Sequence, residues 1–183
     1  MVVNYLTLYF NFFLKFLGCN KHVVIFVENA FKKLDYCLNY SLYYFEVKCK
    51  FKGELDKGIT WMDIGLKNCS TNEYVAFDAE EVTIYTEKDQ QFRFSTHSWN
   101  NNDIFGCGLV YPPTNMMNEF PYVFFTKNGK QIGKGTLLKQ KCDSYKPYVD
   151  MSCFSIEGNF GNNLATKPFK YDILKHLILK EFY

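Results

Sequence analysis

Three glycines and three lysines crowd the ten residues from Lys127 to Thr136, the kind of run whose backbone N–H groups can cradle a phosphate. A phosphate loop needs Gly, four residues, then Gly-Lys-Ser/Thr. Counted from Gly129, the second glycine falls on Lys134, and Gly135 separates that lysine from Thr136. The segment that follows, "LLKQKCDSYKP", soon meets Pro147 and makes a poor helix to offer N-terminal N–H groups. The register therefore argues against phosphate. Asn128-Gly129 instead carries the strongest two-residue hairpin signal, because a type I′ turn needs positive φ at both central residues. That turn predicts Lys127 and Lys130 opposite one another and outside, with arms over 122–126 and 131–133.

Other residue types that carry chemistry are present but badly spaced for it. Asp78, Glu80 and Glu81 share one charged turn, where neighbouring carboxylates mark a solvated bend and nothing predicts a raised pKa. His22, His97 and His176 are scattered, none at metal-ligand spacing from a Cys, Asp or His, and are expected in loops or at the surface. The seven cysteines include no C-x-x-C pair, so neither a zinc ribbon nor a redox dithiol is indicated; reduced, buried thiols are expected. Arg93 is the only arginine, and the lysines are dispersed. Neither a phosphopeptide-binding guanidinium cluster nor a nucleic-acid surface follows. No catalytic residue, metal site or cofactor is expected.

The elements that must position these residues read as strands. Aromatics make up 19% of 183 residues, which tilts the chain towards β structure, and a net charge of +2 implies no strong field for nucleic acid or anionic membrane. In "SLYYFEVKCKF" (41–51), Tyr43, Phe45, Val47, Cys49 and Phe51 alternate with Tyr44, Glu46, Lys48 and Lys50, predicting one dry face and one wet face. Further strands are predicted over 59–66, 73–77, 82–86, 91–96 and 104–111. Two glycines in 104–111 suggest a bulge or a close backbone approach. Prolines exclude 112–121 from a central strand. Residues 145–161 read as two strands with a turn near Asp150. At the end, "DILKHLILKEF" puts Ile173, Leu174, Leu177 and Ile178 on one stripe, predicting a short amphipathic helix capped by Asp172.

The first fourteen residues are mostly apolar and leave three readings open: a signal peptide, an extra strand or helix on the core, or a misplaced start. They are too short for a transmembrane helix, so no integral membrane span is expected. Sequons at Asn39 and Asn68 would accept glycans on a secretory route. The expected location is cytoplasmic, with secretion as the alternative if the apolar segment is a signal peptide.

Five strings occur in a familiar order: Tyr44, Glu46 and Val47; Asp103, Gly106, Cys107 and Gly108; Phe124, Phe125, Asn128, Gly129, Ile132 and Gly133; Pro147; and Asn159, Phe160 and Gly161 before Pro168 and Phe169. Together they resemble the SPRY (B30.2-type) domain over about residues 41–173, closest in flavour to Ran-binding-protein-type and nematode SPRY proteins. Departures are Lys146 between Tyr145 and Pro147, and a long connection over 111–122. The resemblance implies an all-β fold, a two-sheet antiparallel β-sandwich of concanavalin-like jelly-roll architecture. The segments are then an N-terminal piece (1–20), a lead-in (21–40), the domain (41–173) and a helical tail (174–183). It also implies a non-catalytic, monomeric protein-interaction module, an adaptor, scaffold or effector, that grips a protein or short peptide with loops at one end. Carried over by position, those loops bring Lys52, Glu54 and Asp56; Phe77, Asp78, Glu80 and Tyr85; and Asp150, Ser152 and Phe154. Their acidic excess points to a basic or amide-rich ligand segment. The alternative is a secreted carbohydrate-binding, lectin-like sandwich.

Overall fold

The computed structural model describes residues 3–6, 13–14, 22–51, 60–86, 91–93, 99–116, 118–140, 142–152 and 155–182. Fourteen strands run along them: β1 (Val3–Leu6), β2 (Phe13–Leu14), β3 (His22–Phe26), β4 (Phe31–Lys32), β5 (Tyr40–Lys50), β6 (Trp61–Asn68) and β7 (Tyr74–Asp78). Then come β8 (Thr83–Tyr85), β9 (Gln91–Arg93), β10 (Ile104–Tyr111), β11 (Tyr122–Lys127), β12 (Lys130–Leu137), β13 (Ser144–Ser152) and β14 (Ser155–Asn159). The first sheet has the order β12-β11-β10-β5-β14-β2, with β1 parallel to the start of β5. The second has the order β3-β13-β6-β7-β8-β9, with β4 also on β13. Every pairing but β1–β5 is antiparallel. The fold is the two-sheet sandwich expected.

Period-two alternation fills the space between the sheets. Phe45, Val47 and Cys49 of β5 meet Met62, Ile64 and Leu66 of β6, Val75 and Phe77 of β7, and Val149 and Met151 of β13 in one buried cluster. Pro147 is tolerated inside β13 because of where it falls. Its carbonyl accepts from Val27, so its nitrogen faces the same side, in the gap between the β3 and β4 ladders. No ladder donor is lost there.

The hairpin at Asn128-Gly129 forms as predicted, with φ of 49° and 81° and Lys127 paired with Lys130. Lys127, however, does not face outward. Its ammonium lies 2.9 Å from Asp103, with side chains only 13% and 9% exposed. Asp103 also accepts from the Asn128 amide and the Asn100 N–H, both at 2.8 Å. The Asn128 Oδ1 in turn accepts from the Ile104 N–H at 2.9 Å. The turn is thus pinned to the start of β10 by a satisfied polar network.

A second apolar cluster covers the outer face of the first sheet. Leu42, Tyr44, Val110, Tyr122 and Phe124 pack beneath Ile173 and Ile178 of the C-terminal segment. The predicted wet face of β5 is therefore buried at Tyr44 and Glu46. The two glycines of β10 serve this layer through close approach. A Cβ at Gly106 would overlap the Tyr44 hydroxyl, and one at Gly108 the Phe124 ring. The segment itself is not the amphipathic helix expected. It holds only two 3-10 turns, Ile173–Lys175 and Lys180–Phe182, while Leu174 and Leu177 stay 71% and 81% exposed. Its backbone bonds close single turns, Lys175 N–H to Asp172, His176 N–H to Ile173 and Phe182 N–H to Leu179, so the stripe at 3.6-residue spacing never forms. His176, expected in a loop or at the surface, lies within this segment and is buried against the sheet. Among the described residues no helix is long and apolar enough to cross a membrane.

Candidate functional site at the acidic end of the second sheet

Strand register, more than sequence proximity, assembles the acidic site. Asp63 of β6 lies directly opposite Asp78 of β7 on one side and Asp150 of β13 on the other. Three carboxylates thus form one lateral row across adjacent strands, all on the face turned away from the core. Cβ atoms of directly opposed residues sit about 4.5–5.5 Å apart. Like charges at that spacing disfavour joint ionisation. Burial, then Asp78, Asp150 and Glu81, push the Asp63 carboxyl up to about 7. Its Oδ1 is buried without a hydrogen-bond partner.

The neighbours hold the row in place. The Asp78 Oδ1 accepts from the Glu80 and Glu81 N–H groups, both at 2.8 Å, and closes the turn after β7. Val82 ends that turn at φ 55°, a rare conformation for a β-branched residue, fixed here because its side chain is buried in the core. The Tyr85 hydroxyl donates to Glu81 at 2.7 Å, and that bond pushes the phenol up, as does burial. Burial also raises Asp78, Glu80 and Asp150. His22 lies 2.6 Å from Asp150 and tilts against Trp61, ring centroids 5.0 Å apart. Further along the same face, four residues from Asp63 on β6, the Lys67 ammonium sits 5.5 Å from the Phe26 ring and 5.8 Å from Tyr74. Tyr148 lies beneath, packed edge-on against Tyr74.

Asp78, Glu80, Tyr85, Asp150 and Ser152 are brought to this one end, where β7 and β13 finish and β6 begins. Two residues are placed differently from expectation. Phe77 points into the core, packed against Phe105 and Phe125, because its strand neighbours Ala76 and Asp78 take the outer face. Asp150 is not at a turn but inside β13, which runs unbroken to Ser152. Lys52, Glu54, Asp56 and Phe154 lie outside the described residues, as does His97. Sequence reasoning missed Asp63, Trp61 and His22. The signal for the first two was the alternation in "WMDIGLKN": Met62, Ile64 and Leu66 inward, Trp61, Asp63, Gly65 and Lys67 outward. The expected solvated bend at 78–81 is instead half of an electrostatically strained cluster. Among the described residues no three His, Cys, Asp or Glu side chains are arranged to hold a metal ion.

No family model matches the chain, and no curated protein does. Among solved structures, a human SPRY domain is similar, with TM-score 0.57 and 22% identity over 81% of this chain and 91% of that one. The chain therefore has a SPRY-like fold. Sheep galectin-11, in complex with glycerol, aligns at TM-score 0.42 and 12% identity over 78% of this chain and 100% of that one.

Proposed function

We propose that this protein is a non-catalytic interaction module that grips a cationic segment of a protein partner at the acidic end of β6, β7 and β13. The observation that carries the reading is the row Asp150–Asp63–Asp78. A carboxylate held against two others, with one oxygen unpaired, is destabilised in the free protein; an incoming lysine or arginine relieves that penalty and supplies the missing partner. The SPRY-like fold supports the same reading by analogy, since the recognition loops that the resemblance implies include the turn after Asp78 and the end of β13 at Asp150.

A sugar-binding reading has one observation in its favour: Phe26 and Tyr74 are exposed on the same face as the carboxylates. The Lys67 ammonium over both rings occupies the surface a sugar would stack on, which favours the protein partner.

The cytoplasm suits this chain better than secretion. The Asn68 sequon side chain is fully buried, with its Oδ1 accepting from Ser70 and Thr71 at 2.9 and 3.1 Å. A glycan there is incompatible with the fold.

The test is fluorescence-polarisation binding of lysine/arginine-containing, asparagine-rich and acidic peptides to wild type and to Asp63→Asn/Asp150→Asn, beside a glycan array. Preferential binding of the cationic set, weakened at least tenfold by the double substitution while melting is retained, supports the reading. Equal binding of all peptide sets, or binding only on the glycan array, overturns it.

A further inference from the structure

Beside the exposed Lys134–Glu181 pair at 4.0 Å, two side-chain fastenings at buried residues hold the C-terminal segment on the outer face of the first sheet. One is Glu46. Its carboxylate accepts the Lys170 N–H at 2.8 Å, the Tyr171 N–H at 2.9 Å and the Tyr44 hydroxyl at 2.9 Å. The other is His176. Its Nε2 lies 2.9 Å from the Tyr122 hydroxyl and its Nδ1 2.8 Å from the Tyr171 hydroxyl, while its ring stacks on Phe124 with centroids 4.0 Å apart. The apolar anchors are Ile173, between the two fastenings in the chain, and Ile178, two residues beyond His176. Two short 3-10 turns give the segment little helical hydrogen bonding of its own, so docking is what orders it.

Neutral imidazole suits the His176 site: one ring nitrogen donates to one phenol and the other accepts from the second. Imidazolium does not. Both nitrogens then donate, one phenol loses its acceptor, and a charge sits buried against Phe124 and Tyr122. The groups facing the ring are the phenols of Tyr122 on β11 and Tyr171 on the segment, both uncharged below neutrality. Glu46 stands on the far side, bonded to Tyr44 and the Tyr171 backbone. Lys170 belongs to the segment's start, and Asp172 and Lys175 pair with each other at 2.9 Å on its exposed side. The nearer fastening contacts of the ring thus include no carboxylate.

We propose that residues 168–182 are a pH-sensitive strap: protonation of His176 releases it from the sheet and uncovers the apolar face of Tyr44, Tyr122 and Phe124, while the sandwich stays folded. Burial holds the docked imidazole down to about 4, against an ordinary value of 6.5. A detached strap binds the proton more readily, so acid drives detachment through the window between those values. The ratio of detached to docked strap rises about thirtyfold between pH 7.5 and pH 5.

Hydrogen exchange read by mass spectrometry, corrected for intrinsic rate, tests this on the full chain. Peptides over 168–182 should lose about thirtyfold protection from pH 7.5 to pH 5, while β5, β10 and β11 keep theirs. His176→Gln, which does not titrate, should lose no protection over the same range, because burial raises the Glu46 carboxyl and acid then favours the docked strap. Strap and sheet losing protection together, or His176→Gln matching wild type, overturns the proposal. Should the variant's strap already be detached at pH 7.5, the wild-type imidazole resonance decides. A titration midpoint below 6 that moves with the strap signals supports release. A midpoint near 6.5, or strap signals that do not follow it, overturns it.

Discussion

At the scale of single residues, the most informative side chain is Asp63. In the folded protein it keeps its proton to about pH 7, whereas an unfolded aspartate loses it near 3.8. Between those values the folded state binds more protons than the unfolded one, so stability falls as pH rises. Asp63→Asn removes that dependence. The variant should match wild type below pH 4 and exceed it at pH 7.5, by at most about 4 kcal/mol. Chemical denaturation at the two pH values measures it; equal curves at pH 7.5 would show the row carries no strain. The same substitution should weaken a cationic partner, which separates a carboxylate kept for binding from one kept for the fold. Asn68 gives a second residue-scale expectation. If the chain is directed through a secretory route, the fully folded fraction should carry no glycan at Asn68, as peptide mapping of that fraction would show. This residue's burial could not be read from "NCS", because a sequon says nothing of which way its strand faces.

At the scale of elements, the hairpin and the strap differ in how they are held. The hairpin turn rests on Asp103, which serves Lys127, Asn128 and Asn100 at once. Asp103→Ala takes the carboxylate away from a buried ammonium and two N–H donors and should cost about 3–5 kcal/mol, with Asn128→Pro comparably severe because proline cannot adopt φ of 49°. Thermal melting checks both, and native melting in either would refute the network's role. The strap rests on Glu46. Glu46→Gln leaves one acceptor oxygen where two backbone N–H groups and a phenol converge. It should loosen residues 170–182 and raise their protease sensitivity at pH 7.5, with the sheets unaffected. The strand pattern in 41–51 was legible in sequence, since period two is a local property. The cover over Tyr44 and Glu46 was not, because what lies on a sheet's outer face is decided by a segment about 125 residues away.

At the scale of the whole molecule, the two sheets have unlike outer faces. The first is closed by its own C-terminal segment; the second presents its carboxylate row at one end. Association through the second should be electrostatic, so binding of a cationic peptide should tighten from pH 5.5 to pH 8 as Asp63 ionises and weaken as salt rises towards 0.5 M. Affinity indifferent to both would place recognition elsewhere.

The sequence by itself determined the β class, most strand positions and the hairpin at Asn128-Gly129, because alternation and turn chemistry are written in neighbouring residues. It also carried the order of motifs that resemble a SPRY domain, and the human structure bears out that fold. Tertiary structure alone decided the site. Asp63, Asp78 and Asp150 are separated by 15 and 72 positions and meet only through strand register. It likewise decided that His176 is buried between two phenols and that the tail is a strap instead of a helix. Charge proximity and burial are properties of pairing and packing, and no local pattern encodes them.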